Sequence, residues 1–216
     1  MLQDFVKLVD SLVRDESGRL TDDDKAHAAA LAIARYSTDR PRTKVEDVIS
    51  AGGDTLMLPA AWTDQSEVVT AEYPIGERPV AYLPCTIYTT PAGQEIRLGD
   101  AIGNGAEVRL TFTLPHVLSD TQDTLTAHRE AVACWAAALL LEELAAAAIN
   151  DGDTTIQADT TDRRTKAQEY SSRARALKAR YAEAVGASGD GAPAASGQTI
   201  SWPGRGRLTN LVRPNA

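Results

Sequence analysis

The feature that most restricts the fold is a hydrophobic period that changes twice along the chain. Up to about residue 37, and again after about residue 124, apolar residues recur every three or four positions. Between Lys44 and Leu114 they alternate, or come in short runs of Val, Ile, Thr and Tyr broken by Gly and Pro. No single element carries both periods, so helices must flank a strand-rich segment. A chain of 216 residues is short for two full cores. The pattern therefore predicts an α+β fold with one core: a helical bundle of about four helices with a β-rich insertion and an extended C-terminal tail. The bundle takes residues 1–37 and 124–185, and the insertion takes 44–114.

Leu2, Phe5, Val6, Val9, Leu12 and Val13 mark a first short helix, with Gly18 placed to end it. A second helix opens at Thr21, where Asp22, Asp23 and Asp24 suit the positive end of the helix dipole. Its predicted apolar face is Ala26, Ala29, Ala30, Ile33 and Ala34, and Pro41 sets its end near Tyr36. In the insertion, strands are expected over 81–90, 94–98 and 107–114, joined by turns at Pro91-Ala92-Gly93 and Gly103-Asn104-Gly105 into one small antiparallel sheet. Val108, Leu110, Phe112 and Leu114 alternate with polar residues, so that strand buries one face.

Ser119 and Gln122 have the spacing of a capping box, and a strongly helical run follows from Leu125 to Ile149. The apolar stretch from Ala131 to Ile149 is long enough to span a bilayer, but it is mostly alanine and carries Glu142 and Glu143, so a buried core helix is expected and no membrane partner. A basic amphipathic helix is expected over 160–185, with Ala167, Tyr170, Ala174, Leu177, Tyr181 and Val185 on one stripe. Residues 186–198, rich in Gly, Ala and Ser, read as a flexible linker, and residues 199–216 as a docking arm.

Charge divides unequally along the chain. Residues 1–159 hold 12 basic and 26 acidic side chains, whereas residues 160–216 hold 10 and 4. The overall charge of −8 argues against a dedicated nucleic-acid binder, while the basic end suits docking on an acidic protein surface. In the arm, Trp202, Leu208, Leu211 and Val212 offer apolar anchors, and Arg205, Arg207 and Arg213 offer steering charge. These seven residues are the expected contacts with a partner or an adjacent subunit. A linker over 187–197 spans on the order of 18 Å at about 5–6 Å × √n, which reaches a neighbour.

Signals for chemistry are weak. His27, His116 and His128 show no metal-ligand spacing, and Cys85 and Cys134, far apart in apolar surroundings, read as buried thiols of a reducing compartment. The run Asp22 to Asp24 is explained by its place in a first helical turn. Asp151-Gly152-Asp153 lacks the later ligands of a calcium loop, and Gly99 to Gly105 lacks the lysine of a phosphate loop. No nucleophile motif stands out, so neither enzyme activity nor a cofactor is expected. The N-terminus MLQDFVKLVD lacks the pattern of a signal peptide, and export by that route is not expected.

Several strings occur in a telling order: Ile33-Ala34-Arg35-Tyr36-Ser37, then Asp39-Arg40-Pro41-Arg42, Leu58-Pro59-Ala60-Ala61-Trp62 and Glu72-Tyr73-Pro74-Ile75-Gly76. The alanine-rich helix and Asp153-Thr154-Thr155-Ile156 follow, ahead of the basic helix. Over roughly residues 1–185 this order resembles the head-tail connector, or adaptor, proteins of tailed bacteriophages. The resemblance implies a single adaptor domain over 1–185 and a structural virion protein, assembled in the host cytoplasm and sited in the neck. Its expected partners are the portal protein, a downstream neck or tail protein, and other copies of itself in a ring, typically dodecameric, through which genomic DNA passes without specific binding. A stopper or tail-completion protein is the related alternative, and a small hydrolase or nucleotide-binding enzyme the unrelated one.

Overall fold

The protein is α+β: four helices and two antiparallel sheets, described in a computed structural model over residues 1–15, 18–91, 93–125, 127–150 and 165–186. Helices α1 (Leu2–Val13) and α2 (Asp22–Asp39) precede strands β1 (Arg42–Ile49), β2 (Gly53–Leu56), β3 (Val68–Glu72), β4 (Tyr82–Leu83), β5 (Cys85–Thr90), β6 (Gly93–Ile102) and β7 (Glu107–Leu114). Helices α3 (Arg129–Asn150) and α4 (Lys166–Val185) follow.

α3 is the centre of the bundle because its sequence leaves it almost no polar side. Val132, Ala133, Ala136, Ala137, Ala138, Leu140, Leu141 and Leu144 are all buried, and α1, α2 and α4 pack around it. Its length and composition alone would suit a membrane span, but here the other helices cover its apolar faces. The alanines let neighbouring backbones approach closely, and the larger side chains come from those neighbours: Phe5, Val9 and Val13 of α1, Tyr36 of α2, Leu177 and Tyr181 of α4. The predicted stripe on α4 is thus buried through Ala174, Leu177, Tyr181 and Val185.

Several helix details differ from expectation. α1 stops at Arg14, which adopts the left-handed conformation at φ 52°, instead of at Gly18. That conformation costs an ordinary residue about 1–2 kcal/mol, and the Arg173 guanidinium offsets it by donating to the terminal carbonyls of Leu12 and Val13 at 3.1 and 3.3 Å. α2 buries Ala28, Ala29, Ala32 and Tyr36, leaving Ala26, Ala30 and Ala34 exposed. With alanine on nearly every side, periodicity does not choose the face; the bulky Tyr36 does. α2 also runs on to Asp39, as far as Pro41 permits. Ser119 and Gln122 close a loop instead of capping a helix: Ser119 Oγ accepts the Gln122 N–H at 3.0 Å, a bridge joins Leu118 to Asp123, and α3 begins only at Arg129. The part of the basic helix expected over 160–164 lies outside the described residues.

The insertion forms two sheets where one was expected. One has the order β1-β7-β3-β4 and the other β2-β6-β5, all neighbours antiparallel. Pro84 divides the segment expected as a single strand into β4 and β5. The alternation in β7 is realised in full, with Val108, Leu110, Phe112 and Leu114 facing inward. These pack with Leu56, Ala71, Ile96, Leu98 and Ile102. Among the described residues the buried apolar side chains therefore form two clusters with no member in common, one helical and one between the sheets. This corrects the expectation of one core. Short strands with a fully buried face supply a second core from few residues, each large side chain contributing roughly 1.5–3 kcal/mol.

β1 is an edge strand, and its core-facing row carries charge. Arg42, Lys44 and Glu46 stand opposite Leu114, Phe112 and Leu110, and Lys44 Nζ lies 3.0 Å from Glu46. Inward-pointing charges of this kind discourage another strand from adding to the edge.

Candidate functional site

The seven arm residues expected to meet a partner, Trp202, Arg205, Arg207, Leu208, Leu211, Val212 and Arg213, lie outside the described residues, as does the linker beyond Gly186. What the structure does place is the point from which that segment leaves. α4 ends at Val185, with Gly186 left-handed at φ 69°. Arg40, the residue that caps α2, donates from Nε and Nη2 to the Val185 carbonyl at 2.9 and 2.7 Å. A positive fork on a helix C-terminus satisfies an orphan carbonyl and complements the dipole. A side chain at position 186 would place its Cβ 3.2 Å from Arg40 Nη2, so glycine suits this spot twice over.

The end of α2 is tied to α4 a second time. Tyr181 donates its hydroxyl to Asp39 Oδ2 at 2.7 Å, and Arg35 donates to the same oxygen at 2.9 Å. Tyr181 is buried against Trp135, ring centroids 4.9 Å apart. Burial and the hydrogen bond to Asp39 push its hydroxyl well above the usual tyrosine range. Arg35 and Lys178 both lie over the Trp135 ring, and Lys178 also pairs with Glu142 at 2.7 Å.

On the other side of the same joint, His116 spans the two connections between bundle and sandwich. Its backbone N–H donates to Ser37 Oγ at 2.8 Å, its Nε2 lies 2.8 Å from the Arg40 carbonyl, and its Nδ1 lies 3.0 Å from the Thr124 carbonyl. Its ring rests on Tyr36 at 4.5 Å between centroids. His128 touches the same tyrosine at 5.8 Å, and His27 is exposed. A cleft of about 380 Å³ opens beside this joint, bordered by Ser37, Pro41, Glu67, Thr113 and Pro115.

The described strings that carry the resemblance lie at the joint, against the cluster between the sheets and in a turn. Ile33 to Arg42 forms the joint just described. Trp62 packs on Phe112, ring centroids 5.6 Å apart, and donates from Nε1 to Gln94 at 3.2 Å. Glu72 to Gly76 forms a turn closed by the Gly76 N–H on the Glu72 carboxylate at 2.8 Å. The last string, Asp153 to Ile156, and the calcium-loop resemblance at Asp151 lie outside the described residues. Gly99 to Gly105 runs through the end of β6 and the turn into β7 and opens no helix.

The basic face of α4 is partly used within the subunit. Arg173 caps α1 and Lys178 pairs with Glu142; Lys166, Arg175 and Arg180 are exposed, with Glu169 and Glu183 among them. Asp24 closes a capping box with Thr21, whose hydrogen bonds hold its carboxyl below the usual range. Among the described residues no group of three His, Cys, Asp or Glu side chains is placed to hold a metal ion. Both cysteines are free thiols, and burial pushes both upward in pKa. Cys134 is buried, whereas Cys85 is only half-buried, a correction that follows from its place at the start of the edge strand β5.

The joint residues Ser37, Asp39, Arg40, His116 and Tyr181 were not singled out as a site from sequence. The available signal was the string Asp39-Arg40-Pro41-Arg42, where two arginines and an aspartate crowd a forced helix end. No protein-family model matches the chain, and no curated protein matches it.

Proposed function

We propose that the protein is a structural assembly subunit, a head-to-tail adaptor that forms a ring, typically dodecameric, below the portal and lets genomic DNA pass toward the tail. The observation that supports this best is the joint. The stretch from Ile33 to Arg42, which contains two of the strings that carry the resemblance, leads from α2 into β1, and its Arg40 holds the Val185 carbonyl of α4. The C-terminal segment therefore starts where α4 is tied to α2 through Arg40 and Tyr181, a fixed base that suits an arm reaching a partner.

On this reading the arm over 199–216 docks on the portal or an adjacent subunit. Trp202 is its main anchor, Leu208, Leu211 and Val212 add apolar area, and Arg205, Arg207 and Arg213 steer it toward an acidic surface. The excess of acidic groups over 1–159 suits a lumen to which DNA does not adhere. The role is structural, with no cofactor, and its place is the virion neck.

The test is deletion of residues 199–216 from the full chain, followed by particle assembly. The expected result is a folded, soluble subunit that fails to join the portal, leaving heads without necks. Normal completion of infectious particles would overturn the assignment of the arm, and capture of tail proteins alone would favour a stopper or tail-completion role.

A further inference from the structure

Bundle and sandwich are joined by two connections, at 40–41 and 115–117, and the His116 ring lies between acceptors from both sides. Nε2 faces the Arg40 carbonyl at 2.8 Å, and Nδ1 faces the Thr124 carbonyl at 3.0 Å. A backbone carbonyl only accepts, and a neutral imidazole has one N–H. The neutral ring therefore serves one carbonyl and turns a lone pair toward the other. An imidazolium, with two N–H groups, donates to both.

Among the described residues the Thr124 hydroxyl, 3.1 Å from Nδ1, can also donate to a neutral ring, but its single proton is shared with the Val117 carbonyl, likewise 3.1 Å away, while its oxygen accepts the Val117 N–H at 2.9 Å. Ring rotation does not relieve the conflict easily, because Tyr36 covers one face and the His116 backbone is fixed to Ser37 Oγ.

We infer that His116 is a proton-operated pin: with its second proton it locks the sandwich to the bundle through Arg40 and Thr124, and without it one of these two contacts is lost. The charged and titratable groups around it are few. Arg40 contributes its carbonyl and turns its guanidinium to Val185, Tyr36 stacks on the ring, His128 lies beyond Tyr36, and Asp123 pairs with Arg129 at 3.1 Å. None of them supplies an acceptor that would replace the two carbonyls. Because the Arg40 guanidinium also holds the Val185 carbonyl, the pin acts through Arg40 on the end of α4. The inference stands independently of the neck reading.

The ring protonation of all three histidines in the full-length protein is read by long-range nitrogen NMR between about pH 5 and pH 8.5, a range that brackets ordinary histidine titration. Amide exchange over 38–42 and 114–125, corrected for the intrinsic pH dependence of exchange, is measured in the same samples. Protection there should fall roughly fivefold to tenfold as His116 loses its second proton, the effect of about one hydrogen bond. Amides at the centre of α3 should not change. His116→Gln should remove the pH dependence; if that variant does not fold, the wild-type titration decides alone. A ring whose Nδ1 stays unprotonated throughout, a proton lost with no change in protection, or a change that follows His27 or His128 would overturn the inference.

Discussion

Tyr181→Phe isolates a single bond that closes the bundle. The substitution keeps the ring packed on Trp135 and removes only the hydroxyl that reaches Asp39 at 2.7 Å. A hydrogen bond to a charged group contributes about 1.5–3 kcal/mol. Asp39 keeps Arg35 at 2.9 Å and its side chain is 10% exposed, so part of that is recovered. A loss of about 1–2 kcal/mol is therefore expected, well below the roughly 3–5 kcal/mol that removing a buried aromatic ring would cost. Urea denaturation at pH 7 measures it, and a double-mutant cycle with Asp39→Asn isolates the pair. There is also a pH signature. The folded state holds the Tyr181 proton more tightly than an unfolded chain does, so this stability is fully present below about pH 10 and declines as pH rises beyond it. The Phe variant should lack that share of the alkaline loss. A variant as stable as the wild type, with no coupling to Asp39 and an unchanged alkaline limb, would refute the tie between α2 and α4.

Two further outcomes are expected. Phe112→Ala should cost about 3–5 kcal/mol and should lower amide protection in β1, β3 and β7 before it affects the centre of α3, because Phe112 belongs to the cluster between the sheets; equal loss in both would mean that the two clusters unfold as one. In native protein Cys85 should react with a thiol reagent before Cys134, which is buried in the bundle, and the two rates should converge in denaturant; a faster Cys134 would place that thiol at the surface.

Legibility in the sequence followed the strength of the local contrast. β7 alternates apolar and polar side chains without exception, and α4 carries its buried residues on one clear stripe, so both could be read directly. α2 could not, because a helix of alanines presents nearly the same surface on every side until Tyr36 is fitted against a neighbour. The capping spacing at Ser119 misled because the same side-chain to backbone bond closes a turn as readily as it opens a helix. The second cluster has no signal in chain length, because short strands with one buried face form a core from few residues. The joint is the hardest case: Asp39, Arg40, His116 and Tyr181 meet only through tertiary contacts, and none has a local pattern that foretells the others.

The pairing of Arg42 with Leu114 across β1 and β7 has a consequence for biogenesis. Every strand of the two sheets lies between those two residues, so the ribosome completes the strand sequence before it adds that of α3 and α4. α1 and α2 have little to pack against until then, since both dock on α3. Domains generally fold in the order they are synthesised, and on that rule the strands are complete before α1 and α2 have the helix they dock on. Once closed, the sandwich holds the end of α2 beside the segment leading into α3, turning a long loop closure into a short one and lowering its entropic cost. In the folded chain the insertion thus brings the two halves of the helical bundle to one place.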